Sequence, residues 1–174
     1  RETGNMKIYS NAKWNWALIN KNRLIQRSNE NLHSDCNFEG YPGLHIIEVT
    51  KNCNLACSYC AANARRTIET DKHSDSNNQS IENITDFIVK NSGYSFCVEF
   101  QGGEPLLNFE TIKSITESVI SKSRMRDKTP YFRLVSNLLL INPETADFLK
   151  KYKFEVSTSL DGFPDLHNKN RKSF

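Results

Sequence analysis

Residues 44–60 read Leu-His-Ile-Ile-Glu-Val-Thr-Lys-Asn-Cys-Asn-Leu-Ala-Cys-Ser-Tyr-Cys, a short apolar run that feeds directly into three cysteines, Cys53, Cys57 and Cys60. The run Leu44 to Val49 has the length and β-branched content of a strand. The cysteines follow with gaps of three and then two residues. Three thiolates in one loop can hold three irons of a [4Fe–4S] cluster and leave the fourth iron open to bind and activate a substrate. The competing reading is structural zinc, which takes four N/S ligands and often arranges them as two separated pairs. No second pair exists here: Cys36 and Cys97 are isolated, and His45 lies on the strand leading into the motif.

Outward from this stretch the pattern stays regular. Ile81, Ile84, Phe87 and Ile88 fall at helical spacing, with Ser80 placed to cap that helix. Phe96 to Gln101 alternates as a second strand, with Phe96, Val98 and Phe100 on one side and Cys97, Glu99 and Gln101 on the other. Phe109, Ile112, Ile115, Val119 and Ile120 mark a second long helix, and Tyr131 to Val135 a third strand. Asn142 and Pro143 read as the cap and first position of a helix carrying Ala146, Phe148 and Leu149. Phe154 to Leu160 is a fourth strand, and a helix is expected from about Leu55 to Thr67. Strands alternating with helices imply an α/β fold with a parallel sheet, either open or part of a barrel.

Before the first strand, residues 14–27 form two apolar runs around Asn20-Lys21-Asn22 and predict a small β-hairpin in which Trp14 and Trp16 pack. Residues 28–43 are a polar linker ending in Gly40-Tyr-Pro-Gly43, so residues 1–43 are expected as hairpin and linker, and 44–174 as the core. Residues 69–80 are almost wholly polar and read as a mobile loop.

Composition bounds the functional classes. The 174 residues carry a formal charge of +3, too small to argue for nucleic acid. No apolar run approaches the roughly 20 residues that span a bilayer, and no secretory segment is evident, so no membrane association is expected. Five cysteines, three of them clustered, fit a reducing, cytoplasmic setting better than a disulfide framework. Cys97 reads as a small core residue, Cys36 as a linker thiol, and His33 and His73 as solvated side chains.

The unusual residues sit at matching positions. Cys53 to Cys60 follow the first strand, Gly102-Gly103-Glu104-Pro105 the second, Ser136-Asn137 the third and Ser159-Leu160-Asp161-Gly162 the fourth. In parallel α/β folds the carboxyl ends of the strands share the edge on which sites are built. Gly102 and Gly103 let backbone approach a ligand closely, and Glu104 adds a carboxylate; the competing reading is a tight strand-to-helix turn. Ser136 and Asn137 can equally be an ordinary strand end.

The cysteine motif, with its aromatic Tyr59, resembles that of the radical S-adenosylmethionine (radical SAM) superfamily, and the segment Ser159 to Arg171 resembles the peptide- and sulfatase-modifying (SPASM-type) branch. That resemblance implies a partial (β/α) barrel, about four of six βα units, and a fragment of a longer protein. It implies a [4Fe–4S] cluster on Cys53, Cys57 and Cys60. It also implies S-adenosylmethionine held by Tyr59, Gly102, Gly103, Glu104, Asn137, Ser159 and Arg171, with Ser159 and Arg171 gripping the methionine carboxylate. At position 138 the sequence has Leu138 where many relatives have glycine. The implied reaction is reductive cleavage of S-adenosylmethionine to a 5′-deoxyadenosyl radical, used to modify a peptide or protein after translation, with electrons from a donor such as a flavodoxin or ferredoxin. A non-catalytic metal- or cluster-binding fragment and radical chemistry on a small molecule remain alternatives.

Overall fold

Alternation along the first strand decides which side of the sheet becomes the core. In the computed structural model, which describes residues 43–62, 64–66 and 78–173, strand β1 (Leu44–Thr50) turns Ile47 and Val49 toward the core and leaves Leu44 and Ile46 exposed. It pairs in parallel with β5 (Ser95–Gly102), β5 with β6 (Thr129–Val135), and β6 with β7 (Glu155–Ser157). The sheet order is β1-β5-β6-β7, which is chain order, as successive βα units require. The predicted hairpin, the linker up to residue 42 and most of the polar loop lie outside the described residues.

Register carries the alternation across the sheet. Val98 stands beside Phe132 and Phe100 beside Leu134, all buried on the helix-covered face. Phe96 and Phe100 are fully buried, and burial of a phenylalanine stabilises by about 1.5–3 kcal/mol. The other face carries Glu48, Glu99, Gln101, Arg133 and Glu155, with Arg133 Nε donating to Glu155 Oε2 at 2.7 Å. Cys97 is buried, as its expected packing role requires.

Three helices cover the core face. α1 (Asn78–Lys90) buries Ile81, Thr85, Ile88 and Val89, whereas Ile84 and Phe87, expected in its apolar stripe, are exposed. Thr85 is tolerated on the buried side because its hydroxyl is satisfied there, donating to the Ile81 carbonyl at 2.8 Å and meeting Ser118 Oγ at 3.0 Å. Ser80, expected as its cap, lies within the helix. α2 (Phe109–Arg124) buries Ile112, Ile115 and Val119, with Phe109 and Ile120 packed at the margin. α3 (Pro143–Lys151) begins at the expected cap: Asn142 accepts from the Thr145 amide and Thr145 Oγ1 answers from the Asn142 amide.

Two expectations fail in an informative way. Among the described residues there is no helix between Leu55 and Arg66. That segment contains β2 (Asn52–Cys53), β3 (Leu55–Cys57) and β4 (Arg65–Arg66), and β3 pairs antiparallel with β8 (Arg171–Ser173). A partner more than a hundred residues away overrides local helix propensity. The fourth strand is also shorter than expected, and the chain then forms α4 (Pro164–Asn170) before β8. No helix among the described residues is long and apolar enough to cross a membrane.

Candidate active site

The four predicted segments do meet at the carboxyl edge of the sheet, held by contacts between them. After β5, the Gly103 amide donates to the Thr50 carbonyl and the Glu104 amide to the Asn52 carbonyl, both at 2.8 Å. The approach is so close that a Cβ on Gly102 would lie 2.2 Å from the Thr50 oxygen, and one on Gly103 2.1 Å from the Asn52 oxygen. Gly102 also has a φ of +141°, which side-chain-bearing residues rarely adopt. The two glycines are thus required by the backbone entering the cysteine loop.

Glu104 points inward. It is fully buried, its Oε1 accepting from Ser136 Oγ at 2.7 Å and the Leu106 amide at 3.0 Å, and its Oε2 from the Asn137 amide at 2.8 Å. Burial pushes its carboxyl above the usual range, against the pull of those three donors. Through these bonds the carboxylate ties the end of β6 to the turn after β5. Asn137 is likewise committed, donating from Nδ2 to Asn54 Oδ1 at 2.8 Å and accepting from the Leu139 amide at 3.0 Å. Leu138 takes a left-handed φ of 62°, with its side chain buried and its amide donating to Ser136 Oγ.

The cysteines line the loop beyond Asn52. Cys53 is buried, Cys57 half-buried and Cys60 exposed. Burial pushes the Cys53 thiol up to about 11 and raises Cys57, the latter opposed by the nearby Arg171 guanidinium. Among the described residues no three His, Cys, Asp or Glu side chains stand close enough to hold a metal ion as they are. The three thiols nonetheless share one eight-residue loop, with Cys60 exposed at its end. Three soft thiolates, with no fourth ligand clustered beside them among the described residues, suit an iron–sulfur cluster with an open iron.

Arg171 is not a solvated end residue. It faces Cys57 across the β3–β8 pair, and the Ser58 amide reinforces the junction by donating to the Asn170 carbonyl at 2.8 Å. Its Nε donates to Asp161 Oδ1 at 2.8 Å, with both side chains nearly buried, and its guanidinium lies 5.3 Å from the Tyr59 ring centre. Tyr59 donates its hydroxyl to the other oxygen, Asp161 Oδ2. Burial alone would raise Asp161, but the bonds from Tyr59 and Arg171 hold its carboxyl below the ordinary carboxylate range. The Asp161 amide contacts Nδ1 of buried His167 at 3.4 Å, and burial lowers His167 toward the neutral ring. Ser159 is exposed on the segment leading to Asp161. Asp161 and Asn54 were given no role from sequence; both sit inside quoted motifs, but only their distant partners reveal them.

A profile of the Radical SAM superfamily matches residues 47–173, a span that includes every segment of this rim. The chain belongs to that superfamily. Among its relatives, the radical SAM cyclopropyl synthase TigE of Paramaledivibacter caminithermalis is 29% identical over 66% of this chain and 26% of its own length. A cysteine-type anaerobic sulfatase-maturating enzyme of Clostridium perfringens is 29% identical over 74% of this chain and 35% of its own. The solved structure of native anSMEcpe with bound AdoMet and Cp18Cys peptide superposes with a TM-score of 0.63 at 28% identity, over 76% of this chain and 35% of the other. The radical SAM chain described here thus spans about a third, or less, of the length of these relatives. Its parallel α/β sheet is the fold the sequence implied.

Proposed function

We propose that the chain forms the cluster- and cofactor-binding part of a radical SAM enzyme that modifies a peptide or protein. The observation that carries this reading is the meeting of the cysteine loop, the Gly102–Glu104 turn, the end of β6 and the Asp161–Arg171 clamp on one edge. Cys53, Cys57 and Cys60 would hold the cluster and Arg171 would offer its planar fork to the methionine carboxylate, a match of shape and charge. When bound, a [4Fe–4S] cluster supplies the electron that splits the C5′–S bond of S-adenosylmethionine into methionine and a 5′-deoxyadenosyl radical.

The remaining residues position rather than react. With the Glu104 carboxylate turned inward, contact with the cofactor's ammonium falls to backbone oxygens near Gly102 and Gly103. Asn137 holds the cysteine loop through Asn54 and keeps a second Nδ2 hydrogen for the ribose. Tyr59 flanks Arg171, and exposed Ser159, two residues before Asp161, would add a second hydrogen-bond donor to the carboxylate. The face of the sheet opposite the helices, with Glu48, Gln101 and Ser157 toward the carboxyl ends, is where substrate would lie. The sulfatase-maturating relatives and the peptide-bound structural neighbour support a peptide substrate, and low-potential electrons would come from a flavodoxin or ferredoxin in the cytoplasm.

The test is anaerobic reconstitution with iron and sulfide, addition of dithionite and S-adenosylmethionine, and chromatography for 5′-deoxyadenosine. The product should form only with reductant and vanish in Cys57→Ala. Stoichiometric zinc without sulfide, in protein that forms no product, would end this reading.

A further inference from the structure

We infer that Asp161 is the positioning residue for Arg171, holding its guanidinium so that the edge away from Nε meets the carboxylate of S-adenosylmethionine; this rests on the reading of Arg171 given above. An arginine presents five N–H donors in one plane, and which edge faces a ligand depends on what fixes the plane. Here Asp161 takes Nε from the side with a single oxygen, Oδ1, at 2.8 Å. Its second oxygen is occupied by the Tyr59 hydroxyl, so the carboxylate does not lie across the guanidinium in the two-bond mode a carboxylate ligand would use.

The clamp is built from three separate parts of the chain. Tyr59 comes from the cysteine loop and stacks its ring 5.3 Å from the guanidinium carbon. Asp161 comes from the segment after β7, and its amide contacts Nδ1 of His167, which is 3% exposed. Arg171 follows α4, and its own amide donates to the His167 carbonyl. Side chain and main chain therefore close a ring through Asp161, His167 and Arg171, on ion-pair side chains only 12% and 14% exposed. A long side chain held this way is ordered before the ligand arrives, and such pre-organisation appears as affinity.

The alternative for the same contact is competition, with Asp161 as an internal carboxylate that the ligand must displace. The two differ in sign. Binding of S-adenosylmethionine to the cluster-loaded, unreduced protein is measured by calorimetry for the wild type, Asp161→Ala, Asp161→Asn, Arg171→Ala and the double alanine variant. Positioning predicts about tenfold weaker binding in Asp161→Ala, the loss of roughly one charge-assisted hydrogen bond's worth of order. Asp161→Asn, which keeps an acceptor for Nε, should fall between, and the double variant should match Arg171→Ala alone. With decarboxylated S-adenosylmethionine as the probe, Asp161→Ala and wild type should bind equally, a selectivity that general damage to the fold would not produce. If Asp161→Ala does not fold, Asp161→Asn carries the test in the same direction. Unchanged or tighter binding in the Asp161 variants while Arg171→Ala weakens would overturn the inference. Unchanged binding in Arg171→Ala would instead overturn the underlying reading of the arginine.

Discussion

Cys57 stands directly across from Arg171 in the antiparallel pairing of β3 with β8. The pairing joins the cysteine loop to the segment after α4, and it places a permanent cation beside a thiol whose burial raises its pKa. The proposed cluster ligand and the proposed carboxylate grip are thereby parts of one small sheet. Three residue pairs, from Leu55–Ser173 to Cys57–Arg171, hold the two segments in register.

The first prediction concerns the thiols of the cluster-free protein. A thiolate is the reactive form, so a buried thiol pushed up to about 11 alkylates slowly. At about pH 8, iodoacetamide followed by peptide mass spectrometry should label Cys60 first, Cys57 more slowly and Cys53 last. Cys53 labelling as fast as Cys60 would show that the loop does not bury it.

A second prediction separates two roles of Gly103. Because an added Cβ meets the Asn52 carbonyl rather than open space, Gly103→Val should lower stability by about 2–3 kcal/mol or more. Urea denaturation of the cluster-free protein measures this. A variant of wild-type stability would mean that the glycine serves ligand access alone.

The third prediction is a pH dependence. Burial raises the Glu104 carboxyl in the folded state, so the folded protein binds this proton more tightly than the unfolded chain does. Stability from this group is therefore lost as pH rises from the ordinary carboxyl range through the raised folded value. Denaturation of wild type and Glu104→Gln between about pH 4 and about pH 8 should show the wild type losing ground to the variant as pH rises. A difference that moves the other way would mean that the bonds from Ser136, Asn137 and Leu106 outweigh desolvation.

Much of the sheet was legible in the sequence because alternation is a local signal. Phe96, Val98 and Phe100 declare their buried face within six residues, and Asn142-Pro143 its helix start within two. The buried face of α1 was not, because Thr85 is polar by type and becomes a core residue only through the Ile81 carbonyl and Ser118. The stretch after Cys53 carries helix-forming alanines, yet its backbone is claimed by β8, a non-local pairing that no window of sequence contains. In the site, the cysteines and glycines announced themselves by type and spacing. Asp161 did not, since its meaning lies in Tyr59, 102 residues earlier, and in Arg171. Glu104 was recognised, but which way its carboxylate faces follows from the donors around it.

The three-cysteine loop is proposed to hold a cluster whose open iron takes S-adenosylmethionine. The most direct measurement is the electron paramagnetic resonance spectrum of the reconstituted, reduced protein before and after S-adenosylmethionine is added. A [4Fe–4S]⁺ signal should change shape on addition, be lost altogether when Cys53, Cys57 and Cys60 are replaced by alanine, and survive replacement of Cys97. A cluster signal that stays the same at saturating S-adenosylmethionine, or one that persists without those three cysteines, would contradict it.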